Sequence, residues 1–453
     1  MSSVSRRRMI AGTAALAAMG GAAWALRRTL TSRLERMTLL PSFTATPALV
    51  PHDTTTDRRT LGIGRGGSPA DNVDAAITRA GGLSRFVGDD DVVIVKVSAQ
   101  WWNQGMTNVA AVRRLVEQIA TRPGFKGEVI VFENTHFRLA DGSGLSRAWA
   151  RPSDRNVDVP GWDKLGDLIP HFAKSGLPVS FVGLVDGGRS ELADDDWHDA
   201  GHRTGIYGGD GRGPIAAGDP RDGYHWALDR PFRLQKSRVS WAETPLSWPR
   251  FTSPRSGLVI DLKEGVLRRE GNALVSIPRK LTWISMTTVN EHASTGMTAC
   301  CKSAMGVVDM SAGRLGTHPR ASRFRSVHYF GMPEASWRMA GPLAEFARVI
   351  RAPDLYLAVA EWVAVTPKGG LPNDTDSRLE AASAHQARTV VAGTDAVAID
   401  AWCTRNLLFP IDGPNKENLD LSRPDAKTTR FLRYYREVMR SGTLDESLID
   451  AVG

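Results

Sequence analysis

The stretch from residue 91 to 133 leaves this chain few ways to fold. It begins with "DVVIVKV" (91–97), a short run of β-branched apolar residues with no polar face. Such a run reads as a strand buried on both sides, the kind found inside a parallel sheet. "TNVAAVRRLVEQIA" (107–120) follows, with Val109, Val112, Leu115, Val116 and Ile119 on one helical stripe and Thr107 or Asn108 placed to cap it. "GEVIVFE" (127–133) is a second buried strand. Strand, helix, strand at this spacing is a βαβ unit, which requires parallel pairing with a helix on the sheet face.

The alternation continues. Strands are expected at 179–184, 282–289, 355–365 and 388–394, beside 91–97 and 127–133, with helices between several of them. The fold class expected is therefore α/β: a largely parallel sheet, or sheets, with flanking helices, arranged as two lobes plus a Gly/Asp/His-rich insert loop. That insert, at about 186–256, breaks the pattern and is too long for a plain connection. The chain has 453 residues, enough for one large α/β domain or two smaller ones. Residues 71–440 read as the α/β domain, 35–70 as a flexible arm rich in Thr, Pro, Arg and Gly, and 441–453 as a C-terminal tail.

The N-terminus supplies a separate message. "SVSRRRMIAGTAALAAMGGAAWALRRTL" carries Arg6 and Arg7 ahead of an Ala/Gly-rich, weakly apolar stretch of about 17 residues. It resembles a twin-arginine export signal over residues 1–34, either cleaved near Ala23-Trp24-Ala25 or kept as an anchor. A membrane span needs roughly 20 strongly apolar residues, which favours the signal. The implied partner is the twin-arginine export machinery and the implied location is the periplasm or cell envelope, with membrane contact only through an uncleaved signal. Six arginines and no acid lie in residues 1–34, so most of the net charge of +8 belongs to this segment. No basic cluster interleaved with aromatics occurs elsewhere, which argues against a nucleic-acid partner. Three cysteines, two of them adjacent, make no disulfide framework.

Three stretches carry a family resemblance. The first is "VVIVKVSAQWWNQGMTNVAAVRRLVEQI", with Lys96, Gly105 and Thr107; the second is "NEHASTGMTACCKSAMGVVD" (290–309), with His292, Thr295-Gly296-Met297-Thr298, Lys302 and Gly306; the third is "VVAGTDAVAIDAW". In this order they resemble the bacterial and archaeal domain-of-unknown-function family 362. The match departs from the family pattern at Val97 and Ser98, where Pro and Asn are usual, at Asn290, which replaces a lysine, and at Ser303, which replaces an asparagine. The resemblance implies no particular reaction. Some members carry ferredoxin-type cysteine clusters, but this chain has no C-x-x-C-x-x-C run, so no iron–sulfur cluster is expected.

The polar residues of these stretches fall at predicted strand ends and helix starts, which line the ligand crevice of an open parallel sheet. Candidate catalytic residues are Lys96, His292, Lys302 and Asp400. Candidate cofactor-binding residues are Thr107, Thr295, Gly296, Thr298 and Asp395. Gly296 lets backbone approach a ligand, and a helix expected to start near Thr298 offers free N–H groups to an anion. Each has a plainer alternative: Thr298 and Asp395 suit helix caps, and Asp400 suits a buried ion pair with Lys96 or Lys302. His198 and His202, four apart in the insert, would share one face of a short helix as metal ligands, and Glu361 is an acid in an otherwise apolar strand. The cofactor is thus unknown, with a divalent metal one candidate, and the ligand expected is a small anion. Two functions stay open: an exported enzyme or cofactor-dependent protein with a Lys/His/carboxylate crevice, or a non-catalytic exported binding or accessory protein.

Overall fold

The computed structural model describes residues 57–134, 146–184, 202–203, 206–209, 222–235, 241–309, 327, 336–366 and 383–453. The arginine-led N-terminus, the first part of the arm and much of the insert, His198 included, lie outside the described residues. The chain divides into two compact units, Met1–Val50 with Arg233–Ala242, and Pro51–Phe232 with Glu243–Gly453.

Strands numbered in chain order are β1 (Arg59–Arg65), β2 (Val92–Lys96), β3 (Glu128–Asn134), β4 (Val179–Leu184), β5 (His202–Arg203), β6 (Ile206–Gly209), β7 (Gly223–Gln235), β8 (Trp241–Thr252), β9 (Val259–Asp261), β10 (Gly265–Glu270), β11 (Ala273–Ser276), β12 (Leu281–His292), β13 (Gly296–Thr298), β14 (Leu355–Val365), β15 (Ser383–Gly393) and β16 (Ile449–Val452). The helices are α1 (Pro69–Arg79), α2 (Val109–Ala120), α3 (Arg147–Ala150), α4 (Leu168–Ser175), α5 (Ala340–Val349), α6 (Ala396–Cys403) and α7 (Lys427–Met439).

Among the described residues, ten strands form one sheet in the order β16-β1-β15-β14-β12-β2-β3-β4-β6, with β13 folded back on β12. Its centre is parallel: β14, β12, β2, β3 and β4 all run the same way. Antiparallel pairs flank it, β15 with β14 and β1 on one side and β6 with β4 on the other. The α/β class and the six strands read from sequence are therefore present in a single sheet. α2 shows why the β2–α2–β3 unit forms. Asn108 caps it by accepting from the Ala111 N–H at 3.1 Å, and Val112, Leu115, Val116 and Ile119 bury against Val93, Val95, Val129 and Val131. Each such side chain contributes roughly 1.5–3 kcal/mol on leaving water.

Three segments differ from the sequence expectation. The last part of the arm is strand β1, whose Leu61 and Ile63 are buried; two glycines interrupt its apolar pattern and hide it. The tail contains β16, which pairs in parallel with β1. The insert is not all loop: β7 and β8 are long strands of a second, six-stranded sheet ordered β11-β10-β9-β8-β7-β5. Phe132 of β3 stacks on Phe251 of β8 at 5.7 Å, and Glu128 accepts from Ser253 and Ser256 at 2.6 Å each, fixing that sheet to the first. Pro231 and the interleaved charges of β7 disguised it as loop. Among the described residues, no helix is long and apolar enough to cross a membrane.

Candidate functional site

The parallel centre of the sheet has a carboxyl edge, and the chain places charge there. Lys96 ends β2, and Glu133 is the penultimate residue of β3, the neighbouring strand. Lys96 Nζ lies 3.3 Å from Glu133 Oε2, with side chains only 4% and 2% exposed. The two groups are close but not aligned for a hydrogen bond, since Oε2 has no hydrogen-bond partner. Burial pushes the Glu133 carboxyl up to about 8, with Lys96, the Ala99 N–H and the Gln100 side chain pulling the other way. Desolvation exceeds the attraction of the lysine, as expected when a carboxylate leaves water with few donors.

The backbone closes over this pair from the segment Cys300–Gly306. A Cβ on Gly306 would stand 2.4 Å from Lys96 Cε and 2.7 Å from each Glu133 carboxylate oxygen, so any larger residue would have to push the two side chains aside. Asn134, the last residue of β3, holds the same segment by donating to the Val308 carbonyl at 2.7 Å and the Met305 carbonyl at 3.3 Å. Gln100 donates to Asn134 Oδ1 at 3.2 Å, tying in the loop after β2.

The other end of that segment is held differently. Asp400, buried in α6, accepts from the Cys300 N–H at 2.8 Å through one oxygen and from the Cys301 N–H at 2.9 Å through the other. Burial raises its carboxyl to about 7, opposed by those N–H groups and by hydrogen bonds from both thiols. Segment 300–306 is a 3₁₀ helix, not the α-helix expected, and its first donors are occupied by the chain's own carboxylate. That geometry overturns the expectation of free N–H groups there for an anionic ligand. Cys300, Cys301 and Cys403 are free and buried, and burial raises all three thiols well above their ordinary range.

The remaining candidates scatter. Asp395 caps α6, accepting from the Val397 and Ala398 N–H groups at 3.0 Å each. It follows β15, whose Gly393 pairs with Tyr356 near the start of β14, so it stands at the amino edge, away from Lys96. Thr298 caps nothing: it lies on β13, with Lys302 Nζ 3.5 Å from its hydroxyl. Gly296, at φ +87°, makes room for the chain's own helix rather than a ligand, since a Cβ there would meet Thr428 Oγ1 at 2.1 Å. Thr295 donates to the Met297 carbonyl at 2.8 Å. His292, half-buried at the end of β12, has Nδ1 at 3.2 Å from Ser294 Oγ. Thr107 closes the loop after β2, accepting from the Ser98 N–H at 2.8 Å and donating to the Met286 carbonyl at 2.9 Å. Asn290 bridges three elements, donating to the Gln104 carbonyl at 3.0 Å and accepting from the Ala364 N–H at 2.8 Å.

Of the metal candidates, His202 sits on the two-residue strand β5, not on a helix shared with His198. Glu361 lies in the other sheet, where β14 loses register with both neighbours, and accepts from the Asn72 amide at 3.0 Å. Burial raises its carboxyl to about 7. Among the described residues, no group of three His, Cys, Asp or Glu is arranged to hold a metal ion. Glu133, Asn134 and Gln100 were not picked from the sequence. The signal existed in "VIVFEN": an acid at the end of an apolar strand, the same feature that singled out Glu361.

A buried lysine and a carboxyl group lifted toward neutral pH, at the ends of adjacent parallel strands, can bind an anion and move a proton. Comparison with curated proteins and with solved structures gave no match. Residues 275–405 match the family model of a domain of unknown function, DUF362. The matched segment contains the second and third of the stretches read from sequence, with Gly306 and Asp400, and leaves Lys96 and Glu133 before it. Over that segment, the chain is similar to the DUF362 family.

Proposed function

We propose that the carboxyl edge around Lys96 and Glu133 is the working site, and that it takes a small anionic ligand and transfers a proton to or from it. Lys96 supplies the positive charge and Glu133 the titrating group. The observation that carries this reading is the 3.3 Å Lys96–Glu133 contact, nearly dry and poorly aligned, at the end of the sheet where α/β folds bind ligands. A pair built only for stability is better aligned and has its remaining lone pairs satisfied. Asp400 and Asp395 are spent on capping, so their part is to hold the frame.

The test is native mass spectrometry of the wild type and of Lys96→Met, both purified from the fraction in which the protein accumulates. A bound small anion in the wild type that Lys96→Met lacks supports the reading. Identical spectra with identical stability move the function to a non-catalytic binding or accessory role. That fraction is the periplasm or envelope if Arg6 and Arg7 address the chain to the twin-arginine machinery, which reads paired guanidinium groups and not charge alone. Lys-Lys at these positions then leaves the protein in the cytoplasm, and normal export of that variant would refute the signal.

A further inference from the structure

We propose a second ligand site, for a small oxyanion, at the amino edge of the sheet around Arg59. Two recesses meet there, of about 190 Å³ and about 150 Å³, and Arg59, Thr394 and Asp395 line both. None of Lys96, His292, Lys302 and Asp400 lines either. The site is therefore separate from the carboxyl-edge reading and does not rest on it.

Arg59 opens β1 and lies 3.3 Å through Nε from Asp395 Oδ2, with 27% of its side chain exposed. That carboxylate already serves three backbone donors, the Val397 and Ala398 N–H groups on one oxygen and the Thr443 N–H on the other. Arg59 Nε is buried and makes no hydrogen bond, and no other atom of that guanidinium makes one among the described residues. A guanidinium presents five donors in a planar fork that fits a carboxylate or phosphate. Here the fork is held by charge and offered to the two recesses.

Neighbours fix the chemistry. The smaller recess adds the guanidinium of Arg85, which makes a long hydrogen bond of 3.4 Å to the Ala80 carbonyl, and the hydroxyl-bearing Thr60. Arg58, at its rim, is engaged by both oxygens of Asp450. The larger recess adds Tyr356 and Met439, an aromatic and an apolar wall. The two volumes are well below the ~300–1,000 Å³ of pockets for larger ligands. The occupant is thus a molecule of a few heavy atoms, its oxyanion head at Arg59 and Arg85 and a short apolar part toward Tyr356 and Met439.

Calorimetric titration of the full chain at low salt, with inorganic phosphate and separately with butyrate, tests this. With Lys96→Met as the background, so that only the amino-edge site is read, Arg59→Gln is expected to bind at least tenfold more weakly and the exposed Arg85→Gln several-fold more weakly. Arg85→Gln leaves the Arg59–Asp395 contact intact, so it answers even if Arg59→Gln folds poorly. Tighter phosphate assigns the head to a phosphate, and tighter butyrate assigns it to a carboxylate with the apolar wall in use. No binding of either probe, or binding unchanged in both arginine variants, overturns the site. Binding lost in Lys96→Met but kept in Arg59→Gln overturns it too, and places the anion at the carboxyl edge instead.

Discussion

The two ends of the segment Cys300–Gly306 each meet a buried carboxyl group, and the two are treated in opposite ways. At the start, Asp400 receives two backbone N–H groups at 2.8 and 2.9 Å, one on each oxygen. At the finish, Glu133 receives a lysine 3.3 Å away, and the oxygen facing it has no aligned donor. Burial lifts both toward or past neutral pH. The difference lies in what would be lost. Asp400 satisfies donors that have no other partner, so it is part of the fold. Glu133 is held 3.3 Å from Lys96 at the carboxyl edge of the sheet, where the ligand site is proposed, and one of its oxygens has no hydrogen-bond donor. Burial and a shifted titration do not separate a structural acid from a working one; the geometry of its donors does.

The sharpest break of this comparison is Asp400→Ala. It strands two buried N–H groups at once, and a loss of roughly 3–5 kcal/mol is expected by chemical denaturation. Asp400→Asn keeps one acceptor and should lose less. If Asp400→Ala costs under about 1 kcal/mol, Asp400 is not the anchor described here. Next in size is Gly306→Ala, whose Cβ runs into Lys96 and Glu133; overpacking of this kind costs about 1–3 kcal/mol. This variant should also disturb the Glu133 titration, whereas a surface glycine replaced in the same way should not.

A smaller effect is expected in the pH dependence of stability. Glu133, Asp400 and Glu361 all titrate higher in the folded chain than their ordinary values of 4.5, 3.8 and 4.5. The folded state therefore holds these protons longer than the unfolded one. Their contribution is present at acid pH and is lost as pH rises from about 4 to about 8. Exposed carboxylates lowered by their partners, such as Asp71 and Asp425, act in the opposite direction and only at more acid pH. Denaturation midpoints across pH 5–8.5 should fall in the wild type and fall less in Glu133→Gln. An equal slope in the two would show that Glu133 is not raised.

Much of the frame was legible in the sequence, because buried parallel strands are written as unbroken β-branched runs and α2 as a clean apolar stripe. β1 was missed because its two glycines break such a run, β16 because it is short and half exposed, and β7 because Pro231 and charges interrupt it. The site was legible only in part. Lys96, Asp395 and Asp400 could be named from strand ends and helix starts. Which edge each faces depends on the antiparallel pairing of β15 with β14, and that pairing has no local signature. Thr298 and Gly296 misled for a related reason. A glycine that admits a ligand and a glycine that admits Thr428 look alike until the helix is placed.

The most direct test is an infrared titration of the Glu133 carboxyl in the full chain, with glutamate labelled by carbon-13 and the Glu133→Gln variant used to assign its band. A protonated carboxyl band is expected to persist through neutral pH and disappear at about 8, unchanged in Asp400→Asn and shifted upward in Lys96→Met. A Glu133 band lost in the ordinary range near 4 to 5 would make the pair an ordinary ion pair, and would contradict the carboxyl edge as a site of proton transfer.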